Sequence, residues 1–390
     1  MITFIGDIAA ITVTAIFTFG LAWICYPAWA VLIAENLEWK VERLSPLDTE
    51  LDELPILSIV IPAYNEQDRI PSMLCESFNF LISMKGKTLL RRLQACVKPN
   101  KTPVSDHRQS NILPSNENNR SEGLDPSVEW LIVNDGSTDS TCEVVRKMYK
   151  ETMNTNYTDT DNAVSSSSLS GWTWQIVSLQ RNFGKGAAVK VGMNLANGLF
   201  HLMVDADGAT GFEQGLENLI QELEARMKRI SITALADGGI LMRKTYPMIA
   251  IFGSRAHLEK ESTAQRSPVR TLLMKAFHFF VSLFVSTKVH DTQCGFKIFT
   301  KFASYSVFEE LHLRRWAFDT EIVVLCDKLG IDISEVAVPW KEIDGSKLST
   351  SKLALAFVSI SMLRDMICVW ACYSLGIWRA KTGYKSKDRR

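Results

Sequence analysis

Hydrophobic positions along this chain follow two different periods. Ile56–Ile61 is nearly continuous apolar and β-branched, as a strand covered on both faces requires, and Pro62 ends it. Trp130–Val133, Trp174–Leu179 and Leu199–Val204 read in the same way. Between them, Cys142–Lys150 and Ala187–Ala196 place apolar residues at helical spacing. This alternation predicts an α/β fold, a mostly parallel sheet flanked by helices, with ligands beyond the carboxyl ends of the strands.

Longer apolar runs lie outside that pattern. From Ile8 to Ala34 there is no charged residue, which is long enough for a transmembrane helix. Lys40 and Arg43 follow the run and no Lys or Arg precedes it, so the expected orientation is an N-terminal anchor with the rest of the chain in the cytosol. Leu272–Val285 carries Lys275, His278 and Ser282 in one narrow stripe, and Leu353–Trp378 carries Ser361, Arg364, Asp365 and Cys368 on one face. Arg and Asp at mid-bilayer each cost roughly 3 kcal/mol. Leu353–Trp378 therefore reads as an in-plane amphipathic helix, followed by six basic residues between Arg379 and Arg390 that suit anionic lipid headgroups. Leu272–Val285 has more length and apolar surface than covering a sheet face requires and reads as interfacial, with a core helix as the alternative. Residues 85–127 and 154–170, rich in Ser, Asn, Lys, Thr and Pro, read as disordered, solvated insertions. The implied layout is an anchor and linker over 1–50, one catalytic-type domain over 51–350, and a membrane-associated helix with a basic tail over 351–390.

Charge removes one class of partner. The 390 residues carry 43 basic and 43 acidic side chains, so there is no field to attract nucleic acid. The eight cysteines form neither a CxxC pair nor a Cys/His cluster, which points away from zinc and toward reduced thiols.

The polar motifs fall at strand ends. Pro62-Ala63-Tyr64-Asn65-Glu66 follows the first strand and Asn134-Asp135-Gly136-Ser137-Thr138-Asp139 the second. Asp135 can accept from the N–H of a uracil ring and Tyr64 can stack on it; a tight turn with Thr138 as helix N-cap is the plainer alternative. Val204-Asp205-Ala206-Asp207 closes the fourth strand with two carboxylates one residue apart. Their mutual repulsion is relieved by a divalent cation, Mg²⁺ or Mn²⁺, held with diphosphate oxygens and neutralising the charge on a leaving diphosphate.

The order of these motifs, with Arg181–Gly186 (RNFGKG), resembles the inverting family-2 glycosyltransferases, which have the GT-A fold. Gly253–Leu258 (GSRAHL), Asp291–Lys297 (DTQCGFK), Arg315–Asp319 (RWAFD) and Trp340–Lys347 (WKEIDGSK) narrow the resemblance, from about Leu57 to Trp378, to the branch that glucosylates dolichyl phosphate. That resemblance implies UDP-glucose as donor, dolichyl phosphate as acceptor, membrane lipids as surroundings, and a single-pass protein of the endoplasmic reticulum membrane that faces the cytosol. It implies nucleotide-sugar contacts from Pro62, Ala63, Tyr64, Glu66, Asp135, Lys185 and Asp205, and metal binding by Asp205 and Asp207. It also implies catalytic roles for Asp207, Arg255, Asp319 and Lys347, with Arg255, Arg266 and Arg270 on the acceptor phosphate. Asp319 and Glu321 would lie near sugar or acceptor, or else be an acidic pair at a helix N-terminus.

Two departures set the rivals. Mannosyl-transferring relatives continue the DAD motif with a leucine and a metal-binding glutamine, whereas Gly208-Ala209-Thr210 follows here; a GDP-mannose enzyme is the alternative, and an inactive sugar-nucleotide-binding protein the other. Processive synthases carry QxxRW and several spans, whereas this chain has His312-Leu313-Arg314-Arg315-Trp316 and one clear span.

Overall fold

A computed structural model describes residues 18–31, 36–45, 54–97, 126–154, 171–236, 247–256, 289–343 and 352–381. Eight strands form one sheet: β1 (Trp39–Arg43), β2 (Leu57–Ala63), β3 (Val128–Asn134), β4 (Thr173–Leu179), β5 (Phe200–Met203), β6 (Ile249–Ser254), β7 (Lys297–Thr300) and β8 (Asp332–Ala337). Their order is β1-β4-β3-β2-β5-β7-β6-β8. The four strands expected from the sequence form a continuous parallel block, β4-β3-β2-β5. The remaining strands make the sheet mixed. β1 pairs antiparallel with β4, β7 runs antiparallel to both β5 and β6, and β8 is parallel to β6.

Both faces of the central strands are covered, which is why β2 and β3 are buried along their whole length. Side chains alternate by twos between two cores. Ile59, Ile61, Trp130 and Ile132 enter one core, and Val60, Leu131 and Val133 the other. Against the first face pack α2 (Ile70–Ile82), α3 (Met84–Val97), α4 (Thr141–Asn154) and α6 (Phe212–Ala236). Against the second pack α5 (Lys185–Leu195), α7 (Lys301–Glu310), α8 (Phe318–Lys328) and α9 (Lys352–Ser374). In the first core Trp130 and Trp174 stack with centroids 4.8 Å apart.

Two expectations are corrected. Lys85–Val97 is not the start of a solvated insertion but most of α3. Leu89, Leu90 and Leu93 make one apolar face that is buried on the sheet side, while Lys85 and Arg92 pair with Glu213, Glu217 and Glu224 of α6. The many basic residues of this segment hid a helix that carries its charge outward. The supposed linker also contributes β1, so Lys40 and Arg43, which flank the apolar N-terminal run, belong to the folded sheet. Residues 98–125 and 155–170 lie outside the described residues, as does Leu272–Val285.

Of the N-terminal apolar run, Thr18–Val31 is described and is a helix, α1. Among the described residues one helix window, Phe357–Ser374 in α9, is long and apolar enough to cross a membrane. Its Arg364 pairs with Asp365 at 2.6 Å and lies over the rings of Trp23 and Tyr26 in α1, so α1 and α9 meet. Phe19, Leu21, Trp29, Phe357, Ile360 and Leu375 leave an exposed apolar surface across the two helices.

Candidate active site

The loops after β2 and β3 are laced together by short polar side chains. Asn65, at φ +52°, accepts the Thr138 N–H at 2.7 Å, while its own N–H donates to Ser137 Oγ at 2.9 Å. The Glu66 N–H donates to Thr141 Oγ1 at 2.8 Å. Asn134 Oδ1 accepts the Ser137 N–H at 2.9 Å and closes a turn through Gly136. A Cβ at Gly136 would lie 2.5 Å from the Arg181 backbone. At φ +67°, only glycine fits there without strain.

This lacing changes the picture of two nucleotide-side residues. Asp135 is buried, and its two oxygens accept the N–H groups of Phe183 (2.8 Å) and Gly184 (2.9 Å). Its carboxylate thus holds the RNFGKG turn, and a uracil N–H would share an oxygen already engaged. Burial pushes the Asp135 pKa up, against the pull of those two donors and of Arg315. Glu66 forms a bidentate pair with Arg69 at 2.6 and 2.8 Å, so it shapes the loop. Pro62 and Ala63 end β2 in the buried sheet, and Tyr64 beside them is half-buried.

The RNFGKG turn delivers Lys185 to the carboxylates. Gly184 and Gly186 let the turn lie against the HLRRW segment; added Cβ atoms there would stand 2.5 Å from Arg314 O and 2.6 Å from Leu313 O. Lys185 Nζ then lies 2.6 Å from Asp205 Oδ1. Burial acts to lower the Lys185 pKa, but Asp205, Asp319 and Asp207 outweigh it and hold the lysine above its ordinary range. Asp205 thus contacts the cation, and Asp319 and Asp207 act on it from further off.

Antiparallel pairing of β5 with β7 builds the opposite wall. Met203 faces Lys297, so two residues further on Asp205 meets Gly295. A Cβ on Gly295 would fall 2.1 Å from the Asp205 carboxylate; glycine is needed for close approach, not for an unusual φ. Asp207 accepts the Ala209 N–H at 3.0 Å. The loop behind it is pinned to the segment after β8, with Gly211 N–H on Pro339 O and Lys341 N–H on Ala209 O.

Two ion pairs frame the site. Arg255 leaves the end of β6 and grips Asp291 through Nε (2.7 Å), Nη2 (2.8 Å) and its backbone N–H (2.9 Å), with its guanidinium over the Trp340 ring. Burial opposes both charges of this pair. The guanidinium nevertheless holds the Asp291 carboxyl below the usual range, and Asp291 keeps Arg255 raised. The second pair is deeper: Lys297 Nζ donates to Asp319 at 2.5 Å, with 0% and 6% of the two side chains exposed. Burial pushes the Asp319 pKa up, while Lys297 and Lys185 pull it down.

Lys185, Asp205, Asp207, Arg255 and Asp319, distant in sequence, thus converge. Arg266, Arg270 and Lys347 lie outside the described residues. Glu321 is fully buried and faces the HLRRW backbone, to which it is bound by three donated hydrogen bonds at its His312 and Leu313 N–H groups and the His312 ring. The sequence gives no role to Asp291, Lys297 or Gly295, although the motif DTQCGFK contains all three. Their paired motifs, Gly253–Leu258 and Arg315–Asp319, are far away in the chain, so nothing local signals the pairing. Among the described residues, no group of three His, Cys, Asp or Glu side chains is arranged to hold a metal ion.

A mixed sheet with its polar residues gathered past the ends of a parallel block, and carboxylates at the exit of β5, defines a glycosyltransferase of the GT-A architecture. The family model for glycosyl transferase family 2 matches residues 111–304. Dolichyl-phosphate beta-glucosyltransferase of Dictyostelium discoideum is 34% identical over 88% of this chain and 80% of its own length. The Drosophila melanogaster protein of that name is 37% identical over 83% and 77%, and the human one 33% over 83% and 77%. The chain belongs to the dolichyl-phosphate beta-glucosyltransferase family. Among solved structures, glucosyl-3-phosphoglycerate synthase from Mycobacterium tuberculosis in complex with UDP matches at 12% identity over 80% of each chain, with a TM-score of 0.43.

Proposed function

We propose that this enzyme transfers glucose from UDP-glucose to dolichyl phosphate, giving dolichyl β-D-glucosyl phosphate and UDP. The observation that carries this reading is the Lys185–Asp205 pair at the exit of β5, in the field of Asp207, Asp319 and Arg255, in a chain whose relatives bear that activity in their names. An acceptor phosphate oxygen attacks the anomeric carbon from the side opposite UDP. The new C–O bond forms as the bond to the diphosphate breaks, the electron pair leaves with UDP, and the configuration inverts.

Residue roles follow from the chemistry of the site. Tyr64 and the backbone ends of Pro62 and Ala63 take the nucleoside, with Asp135 and Glu66 holding the loops that shape its seat. Lys185 meets the donor diphosphate, and Arg255, together with Arg266 and Arg270, takes the acceptor phosphate; Lys347 closes over the diphosphate. A phosphate monoester has its second pKa near 6 and is already a nucleophile at neutral pH, so no general base is required. Asp319 suits that reading, being 4% exposed and occupied by Lys297. Its part is to fix the electrostatics around Lys185. Turnover should decline below about pH 6 as the acceptor gains a proton.

Asp205 and Asp207 offer hard oxygen donors at the strand exit, and Gly295 leaves the Asp205 carboxylate room that a Cβ would fill. This donor set fits Mg²⁺ or Mn²⁺ completed by diphosphate oxygens. Bound there, the cation would offset the negative charge that builds on the departing diphosphate.

The test is product formation by purified protein in detergent with dolichyl phosphate and UDP-glucose, GDP-mannose or UDP-GlcNAc in parallel. Glucose transfer alone is expected, and preferential mannose transfer would overturn the donor assignment. The proposed setting is the endoplasmic reticulum membrane with the domain in the cytosol. The sequons at Asn100, Asn119 and Asn156 should then stay unmodified in cells. A mobility shift removed by endoglycosidase H would reverse that orientation.

A further inference from the structure

The buried carboxylate of Glu321 is the meeting point of three parts of the molecule. It accepts the N–H groups of His312 (3.0 Å) and Leu313 (2.7 Å), the His312 ring Nδ1 (2.8 Å) and the hydroxyl of Tyr373 (3.0 Å). Glu321 is on α8, His312 and Leu313 begin the HLRRW segment, and Tyr373 is in the last turn of α9. Next to this hub the His312 ring stacks on Trp378 at 4.1 Å and 3°. A carboxylate with no exposed surface is tolerated when donors satisfy it, and one of those donors comes from the apolar C-terminal helix.

The HLRRW segment continues directly into the donor side. Arg314 O accepts the Ala187 N–H at 3.0 Å, and the carbonyls of Leu313 and Arg314 are packed against Gly186 and Gly184. Lys185 sits between those glycines and holds Asp205 at 2.6 Å. One unbroken path of hydrogen bonds and close backbone contacts thus joins α9 to the reacting region. The neighbouring buried residues of α9, Met366, Cys368, Val369 and Cys372, are uncharged, while Arg364 and Asp365 pair on the same helix and Gln293 Nε2 donates to Met362 Sδ at 3.6 Å. Of these contacts, the Tyr373 hydroxyl is the one that ends on the fully buried Glu321 carboxylate, and a directional bond to such a group fixes register.

We infer that the Tyr373–Glu321 bond is a positioning tie, setting the membrane-facing helix α9 at one height relative to the HLRRW segment and Lys185, so that an acceptor phosphate carried in a lipid surface meets the donor. Tyr373 and Glu321 touch neither substrate; they act through the backbone of His312–Arg314. The inference rests on the lipid-borne acceptor proposed above. An acceptor that arrives from solution does not depend on the height of α9, which separates this role from simple support of the fold.

The experiment uses the full chain in phosphatidylcholine vesicles, wild type against Tyr373→Phe, which keeps the ring and deletes the hydroxyl. Two acceptors are compared: dolichyl phosphate in the bilayer and a water-soluble prenyl phosphate of two isoprene units. With the bilayer acceptor, kcat/KM should fall about tenfold, the scale of one lost hydrogen bond to a charged group. The soluble acceptor and UDP-glucose affinity should stay within about twofold of wild type, and the His312 and Leu313 amides should exchange faster with deuterium. Equal losses on both acceptors would reduce the bond to support of the fold, and unchanged kinetics on both would remove it from the reaction. If wild type glucosylates neither acceptor, the proposed function fails. Amide exchange then decides the tie by itself: faster exchange at His312 and Leu313 upholds it, and unchanged exchange overturns it.

Discussion

The two halves of the sheet build their parts of the site with different physics. In the parallel block, the loops after β2 and β3 are held by neutral hydrogen bonds from Asn65, Ser137, Asn134 and Thr141, with Asp135 taking backbone donors. In the antiparallel part, β6 and β7 supply Arg255 and Lys297, each locked to a carboxylate from another segment. On the proposed roles, a nucleoside is recognised by shape and hydrogen bonds, so a closely fitted cradle of short polar side chains suits it. Phosphates bring several negative charges, and cations that meet them are best held in place before substrate arrives; Lys185 on Asp205, at the far edge of the parallel block, follows the same rule.

The sharpest way to test this division is to remove a charge at the strand exit. Asp207→Asn should lower kcat by about a thousandfold with the melting temperature unchanged, because the amide is a poor metal ligand and carries no charge. EDTA should abolish wild-type turnover and added Mg²⁺ or Mn²⁺ should restore it; full activity in EDTA would count against the cation. Asp319→Asn, at a buried carboxylate already occupied by Lys297, should cost less turnover than Asp207→Asn. The reverse order would make Asp319 a general base or an essential contact.

Breaking the deep pair should show in stability rather than chemistry. Lys297→Met takes from Asp319 its hydrogen-bonded cation and leaves only the weaker pull of Lys185, in a site with almost no exposure, and loss of one partner of a buried pair costs about 3–5 kcal/mol. Urea titration of wild type and variant measures it. Lys297→Met combined with Asp319→Leu should recover much of that loss, because no buried charge is then left alone. An equally unstable double variant would mean that packing, not charge, carries the effect. On the neutral side, Gly136→Ala forces a Cβ against Arg181 at positive φ and should cost about 1–3 kcal/mol, visible in the same titration.

The smallest effect distinguishes the pairs by pH. The folded pKa of Asp291 lies below its unfolded value because Arg255 outweighs burial. The unfolded state therefore binds the proton first as pH falls, and the stabilisation is complete above the unfolded pKa of about 3.9. It is lost as pH drops toward and through the depressed folded pKa. Acid unfolding of wild type and Asp291→Asn should accordingly differ most above the unfolded carboxylate pKa of about 3.9 and converge as pH falls through the depressed folded pKa. A gap that persists at the lowest pH would show that the asparagine variant fails for steric reasons.

Local chemistry was enough to reveal much of this molecule. Short β-branched runs bounded by turn residues favour buried strands, so β2 to β5 and their parallel arrangement followed from pattern, with the polar motifs at their ends. Pattern misled where charge was dense. Lys85–Val97 reads as solvated because its basic residues outnumber the three leucines that anchor it, and only the pairing with α6 explains them. Asp205, Asp207, Lys185 and Arg255 stand out as chemical groups in the chain itself. Their mutual placement does not, because it depends on β7 inserting antiparallel between β5 and β6. That insertion sets Gly295 against Asp205, Lys297 against Asp319 and Asp291 beneath Arg255. Pairing energy between strands is non-local and depends on register across nearly a hundred residues, from Met203 to Lys297, so no window of sequence contains it. The same holds for Tyr373 and Glu321, whose bond exists only because α9 folds back over α8.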